Sequence, residues 1–161
     1  MAEVNPIRDT DDEARALARR LIDEARFGAL GVLDPATGAP VVTRIAIGTT
    51  PGGAPLTLIS SLAFHTAALR ADPRCSLLLG EPGERGDPLT HPRVTLACRA
   101  DFLPRDEGDH ARIRAHYLQT HPKATLYVDF ADFSFVVFAV ESAALNGGFG
   151  KAFRLTASDL G

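Results

Sequence analysis

Arg44 interrupts an otherwise apolar run, Val41-Val42-Thr43-Arg44-Ile45-Ala46-Ile47. A guanidinium on such a strand needs a partner, and its planar fork suits an oxyanion such as phosphate, held in bidentate fashion. Farther along, Leu58-Ile59-Ser60-Ser61-Leu62-Ala63-Phe64-His65-Thr66 places two hydroxyls where an apolar run ends and a helical pattern begins. Free backbone N–H groups and the positive end of the helix dipole meet at such a junction. His65 and Thr66, in the first turns, add two donors. One strand arginine and one helix start together make an anion cradle. A plainer arrangement fits the same residues: Arg44 pairs with a surface carboxylate and Ser61 caps the helix. Residue types alone leave both open.

Other groupings carry less chemistry. Ser60 and Ser61 lie near His65, but the segment has no orienting carboxylate and no Gly-x-Ser-x-Gly elbow, so a hydrolase triad is not expected. The cluster Asn146-Gly147-Gly148-Phe149-Gly150 lacks a surrounding βαβ unit and reads as a tight turn needing positive φ. The five histidines show no metal-ligand spacing, and His110 and His116 read as solvated surface residues. Cys75 and Cys98 sit in strand-like segments and are expected to be buried free thiols, as a reducing compartment would keep them.

The elements that must hold these residues follow from periodicity. Thr10 and Glu13 form a capping-box pattern. Ala14, Leu17, Ala18, Leu21, Ile22 and Ala25 then mark one face of an amphipathic helix, which Gly28 is expected to end in a left-handed cap. Strand patterns follow at 29–33, 41–47 and 56–60, with turn residues between them, and predict an antiparallel meander. A short helix over 61–71 stops at Asp72-Pro73. Strands are expected at 75–79, 93–103 and 133–140, an exposed loop at 80–91 and a second helix at 106–118. Phe133, Phe135 and Phe138 read as core or interface packing. About six strands with short connections predict a mostly β fold with flanking helices, a split antiparallel barrel of Greek-key type.

With 161 residues, the chain is expected to form one domain, with a flexible tail over 1–9. A hydrophobic share of 45% and a charged share of 23% are those of a globular protein, and a net charge of −3 gives no basic footprint for nucleic acid. No apolar run is long enough to span a bilayer, and the N-terminal residues, with Glu3 and Asp9 to Glu13, lack a secretory pattern. A cytoplasmic location is the expectation.

Three pieces resemble the pyridoxamine-5′-phosphate-oxidase-like, FMN-binding split-barrel superfamily, and within it the haem-utilisation branch. They are Thr43-Arg44-Ile45-Ala46-Ile47; the run from Leu58 to Thr66 with Leu69-Arg70-Ala71-Asp72-Pro73-Arg74-Cys75-Ser76-Leu77-Leu78; and Asn146-Gly147-Gly148-Phe149-Gly150-Lys151-Ala152. The resemblance runs from about Ala14 onward. It implies a homodimer with FMN in clefts between subunits and an FMN-dependent oxidoreductase whose small-molecule substrate is open. By that resemblance Arg44 would contact the flavin phosphate, and Ile45 and Ala46 would offer backbone groups to the ring. Ser60 and Ser61 would hold the ribityl chain or phosphate, and His65 and Thr66 would complete the phosphate site. No side chain stands out as an obligatory acid or base, which suits chemistry done by the cofactor. The branch also admits a haem-binding or haem-degrading protein, or a non-catalytic flavin or haem module. Its haem-ligating histidine lies near the C-terminus, whereas the last histidine here is His121, before Pro122. A deazaflavin- or nicotinamide-linked reductase is a further alternative on the same scaffold.

Overall fold

The computed structural model describes residues 4–106 and 108–161. Among the described residues, nine strands and three α-helices follow in the order β1 (Ile7–Arg8), α1 (Asp12–Glu24), β2 (Phe27–Leu33), β3 (Pro40–Ala46), β4 (Gly48–Thr49), β5 (Pro55–Ser60), α2 (Phe64–Ala71), β6 (Arg74–Leu79), β7 (Arg93–Phe102), α3 (His110–Thr120), β8 (Phe133–Asn146) and β9 (Ala152–Thr156). The sheet runs β1-β9-β8-β7-β6-β2-β3, and β5 pairs with β8 and with β4. All pairs are antiparallel except β1 with β9. β3 and β5 approach each other without pairing, so the sheet curls into a split barrel that does not close.

The six main strands lie where alternation placed them, and the three extra ones are short or terminal. Residues 1–3 of the expected tail and Glu107 of the expected second helix lie outside the described residues. Ile7 and Arg8, expected in the tail, instead pair with Ala152 and Phe153. The expected meander stops after β2 and β3. β5 leaves β3 and pairs along β8, whose 14 residues join β5 at one end and β9 at the other while β7 runs alongside.

Both expected ends of α1 differ in detail. Asp11, not Thr10, is the N-cap: its carboxylate accepts from the Ala14 N–H at 2.8 Å, and the Thr10 hydroxyl donates to the Arg154 carbonyl instead. A carboxylate one residue later both caps the helix and meets its dipole favourably. The helix ends at Glu24 with Ala25 extended, and Gly28 is a strand residue. Close approach explains that glycine: a Cβ there would stand 2.6 Å from Leu79 Cδ2 and 3.0 Å from the Leu78 carbonyl.

The period-2 alternation gives the sheet two faces. Leu30, Val32, Ile45, Cys75, Leu77, Leu79, Val94, Leu96 and Cys98 point inward, where Ala14, Ala18 and Ile22 of α1 pack on them. A second cluster, Leu56, Leu58, Ile113, Tyr117 and Phe135, joins α3 to β5 and β8. Phe135 and Phe138 are core, as expected, and Phe133 is half-buried. His110 and His116 are half-buried rather than solvated. The His110 ring meets Phe135 edge-on, and His116 Nε2 lies 3.4 Å from the Thr49 hydroxyl.

Candidate functional site

β3 is an edge strand, and the two sides of its chain serve different purposes. Register pairs Ala29 with Arg44 and Gly31 with Val42, so these side chains share the outer face with Phe27 and Leu78. Thr43 and Ile45 point to the other side. On the outer face Phe27, Val42 and Leu78 are 44%, 71% and 45% exposed, an unusual concentration of large apolar chains.

The loop after β6 passes over this face and turns it into a cleft of about 450 Å³. Apolar Phe27, Val42, Leu78 and Leu89 line it, with Thr43, Arg44, Glu81, His91 and Arg93 supplying polar groups. The Arg44 guanidinium stands over the Phe27 ring at 5.7 Å. No salt bridge engages Arg44 among the described residues, so the plainer alternative, pairing with a surface carboxylate, is not what they show. Arg93 donates to the Leu89 carbonyl at 2.9 Å, and the His91 ring ties its own loop: Nδ1 accepts from the Gly83 N–H at 2.9 Å and Nε2 lies 2.6 Å from the Arg85 carbonyl.

Behind β3 lies the junction of β5 and α2. Ser60 is the last residue of β5, and α2 begins at Phe64, three residues later than the start expected at Ser61. Its N-cap is Ala63, with no side-chain cap, so Ser61 is exposed and does not cap the helix. The Ser60 hydroxyl accepts from the Leu62 N–H and donates to the Asp132 carboxylate at 2.8 Å. Asp132 is the nearby carboxylate that local sequence lacked. It comes from the turn before β8, and its backbone carbonyl also accepts from the Ser61 N–H at 2.6 Å. The Thr66 hydroxyl, 2% exposed, donates to the Ser60 carbonyl at 2.5 Å. Ile45 is buried, and the Ala46 carbonyl accepts from the Thr57 hydroxyl at 2.6 Å.

His65 is the remaining member. Its Nδ1 lies 3.1 Å from the Thr43 hydroxyl. No hydrogen bond engages Nε2 among the described residues, yet no half-buried side-chain nitrogen is left both unpartnered and shut off from solvent. Nε2 therefore reaches solvent. Burial holds the imidazole pKa below its usual value, which favours the neutral ring near pH 7.

The structure thus gathers Ser60, Ser61, His65 and Thr66 at one junction and places Arg44 on the opposite side of β3. Thr43, which lines the cleft and bonds His65, connects the two halves. Sequence reasoning passed over Thr43 and Asp132. Thr43 was signalled by alternation, as the only polar residue on its side of β3, whereas Asp132 carried no local signal. His65 bonds Thr43 and not either serine, so no Ser-His-Asp relay exists. Among the described residues no group of three or more His, Cys, Asp or Glu side chains could hold a bare metal ion.

The family model described as "CREG, beta-barrel" matches residues 9–159. The non-canonical heme oxygenase HOZ, chloroplastic, of Arabidopsis thaliana is 42% identical over 84 residues, 52% of this chain and 24% of that protein. The chain therefore matches about a quarter of that relative's length. A heme binding protein from Mycobacterium smegmatis is 34% identical with a TM-score of 0.82, covering 91% of this chain and 59% of that one. HutZ, a heme storage protein from Vibrio cholerae, shares the fold at 20% identity and a TM-score of 0.69, over 80% of this chain and 87% of its own. The chain belongs to the CREG beta-barrel family.

Proposed function

We propose that this protein binds haem at the cleft beside β3. The observation that carries this reading is the cleft itself: about 450 Å³, floored by exposed Phe27, Val42 and Leu78 and rimmed by the guanidinium of Arg44. That volume falls in the range of about 300–1,000 Å³ typical of small-molecule sites. An apolar floor suits a porphyrin face, and an unpaired guanidinium suits a propionate carboxylate. The relatives named for haem point the same way. Haem bound there would supply one-electron and oxygen chemistry.

The junction of β5 and α2 is poorly suited to the FMN phosphate expected from resemblance. Ser60 and Thr66 spend their hydroxyl protons on Asp132 and on a backbone carbonyl, and the Asp132 carboxylate brings negative charge to the same spot. Haem binding therefore replaces FMN binding as the leading reading. The homodimer remains part of the proposal, supported by the outer face, where exposed Phe27, Val42 and Leu78 run from the cleft toward the small residues Gly31, Ser76 and Ala97. Buried free thiols at Cys75 and Cys98 support a reducing, cytoplasmic compartment.

Titration of the purified chain with haemin, followed by its Soret band, tests the reading, with FMN titrated in parallel by flavin fluorescence. Saturable haem binding at micromolar concentration that weakens in Arg44→Ala is expected. Saturable FMN binding with no haem uptake would reverse the assignment. Adding reductant and oxygen to the haem complex then separates the two kinds of activity: loss of the Soret band marks degradation, and its persistence marks carriage or storage.

A further inference from the structure

We infer that Arg93 is a second carboxylate anchor of the cleft, set across its floor from Arg44, and that the pair selects a flat apolar ligand carrying two carboxylates. The inference deepens the haem reading and rests on it.

Sheet order puts the two arginines on opposite sides of the floor. Arg44 belongs to β3 and Arg93 opens β7, with β2 and β6 between them. Three strand spacings make about 14 Å of sheet. Register puts both on one face. Arg44 stands opposite Ala29, Ala29 opposite Leu78, and Leu78 opposite Thr95. Arg93 lies two residues from Thr95 on the same strand, so its side chain leaves the sheet on that same outer side. Both arginines line the cleft, with Phe27, Ala29 and Leu78 between them.

Arg93 is unlike a solvated surface arginine. It is half-buried, and no salt bridge engages it among the described residues. Its Nη1 donates to the Leu89 carbonyl at 2.9 Å and to the His91 carbonyl at 3.4 Å. Those carbonyls belong to the loop that walls the cleft, so the guanidinium is fixed before a ligand arrives. No hydrogen bond engages Nε or Nη2 among the described residues, and neither is shut off from solvent. These two nitrogens form the fork that grips a carboxylate with parallel bonds. The molecule uses the same fork twice elsewhere: Nε and Nη2 of Arg114 hold Asp129 at 2.8 and 2.7 Å, and those of Arg74 hold Asp72.

On Arg93 that fork has no carboxylate from the chain. Glu81 is the one acidic residue lining the cleft among the described residues, and no salt bridge joins it to either arginine. Both ring nitrogens of His91 are bonded within its own loop, so it competes for no ligand group. Two guanidiniums beside one apolar floor match a ligand with two anionic arms on an apolar plate, and haem carries two propionates on its macrocycle.

The test pairs a change in the protein with a change in the ligand. The full chain is titrated with haemin and with haemin dimethyl ester, in one detergent buffer, followed by the Soret band. Wild-type protein is expected to bind haemin at least about 10-fold more tightly than the ester, since the ester has no charge for either arginine. Arg93→Ala is expected to weaken haemin binding by about 10-fold and to leave ester binding within about 2-fold. Arg93→Gln keeps an amide donor for the loop carbonyls, removes the charge and should show the same split; it carries the test should Arg93→Ala not fold. Because each guanidinium meets its own carboxylate, the losses in Arg44→Ala and Arg93→Ala should multiply in the double variant. Equal losses for haemin and ester would make Arg93 a support of the loop alone and overturn the inference. So would unchanged haemin affinity in both Arg93 variants, or a double variant no weaker than the worse single one. Each of those results leaves haem in the cleft, whereas wild-type protein that takes up neither ligand would overturn the haem reading and the anchor with it.

Discussion

Replacing Gly80 with alanine tests how the wall of the cleft is held. Gly80 follows β6 and opens the loop that crosses the outer face, with φ at +108°. That conformation lies outside the ordinary left-handed well, and a residue with a Cβ pays about 1–3 kcal/mol to adopt it. The Cβ would also stand 2.6 Å from the Pro92 carbonyl oxygen and 2.9 Å from Arg93 Cα. Both are backbone atoms held at the start of β7, so they cannot swing aside as a side chain would, and overpacking of this kind costs about 1–3 kcal/mol. The two effects together predict a loss of roughly 2–6 kcal/mol for Gly80→Ala. Gly86 supplies the control, because its φ is +77° and nothing lies within 4 Å of a Cβ there. Gly86→Ala is expected to cost only the backbone preference, about 1–2 kcal/mol. Urea denaturation of both variants measures the difference, with unchanged m-values as evidence that the unfolding reaction is the same. If Gly80→Ala is no less stable than Gly86→Ala, within about 0.5 kcal/mol, the close approach is not what fixes the loop.

Thr66→Val removes a buried donor from the Ser60 carbonyl while keeping the side-chain volume, and should cost about 1–3 kcal/mol by the same denaturation assay. Burial pushes the Cys75 thiol up to about 11 and raises Cys98 as well, so a disulfide reagent at pH 8 should label neither in native protein and both after unfolding. Because those thiols keep their protons to higher pH when folded, their contribution to stability is complete below pH 9 and is lost as pH rises toward 11, which denaturation midpoints across that window should show. Val42→Glu puts a charge on the exposed outer face and should convert the proposed homodimer to monomers in light scattering; a wild-type protein of monomer mass, or a dimer mass unaltered by the change, would refute that interface.

The fold was legible where one strand has one buried face. In β6 the buried residues Cys75, Leu77 and Leu79 alternate with exposed Arg74, Ser76 and Leu78, and sequence alone located that strand to within a residue. α1 was equally legible, since Ala14, Ala18 and Ile22 repeat at the helical period. Pairing was less so. β5 is buried at five of its six positions, so alternation says nothing about which neighbour it takes, and its partner β8 lies more than seventy residues away. The site divides in the same manner. Arg44 and His65 were visible as polar residues in apolar settings, whereas the Ser60–Asp132 hydrogen bond spans 72 residues and leaves no trace in either local sequence. The β3 alternation sets Thr43 and Arg44 on opposite sides of the chain, which is the distinction that separates the cleft from the junction behind it.

The long strand β8 also constrains when the molecule can form. Its residues 133–146 provide partners for β5, β7 and β9, so a ribosome must release the chain through Val137 before β5 can be paired along its length. Until then β5, whose Leu56, Leu58 and Ile59 are all buried in the finished protein, has as a sheet partner only the two-residue β4, which pairs with Pro55 and Leu56. A nascent chain halted before Phe133 would present that apolar strand to chaperones or to other chains. The hairpin of β2 and β3, by contrast, needs nothing that comes after Ala46 to pair, and can wait, already formed, for the rest of the sheet.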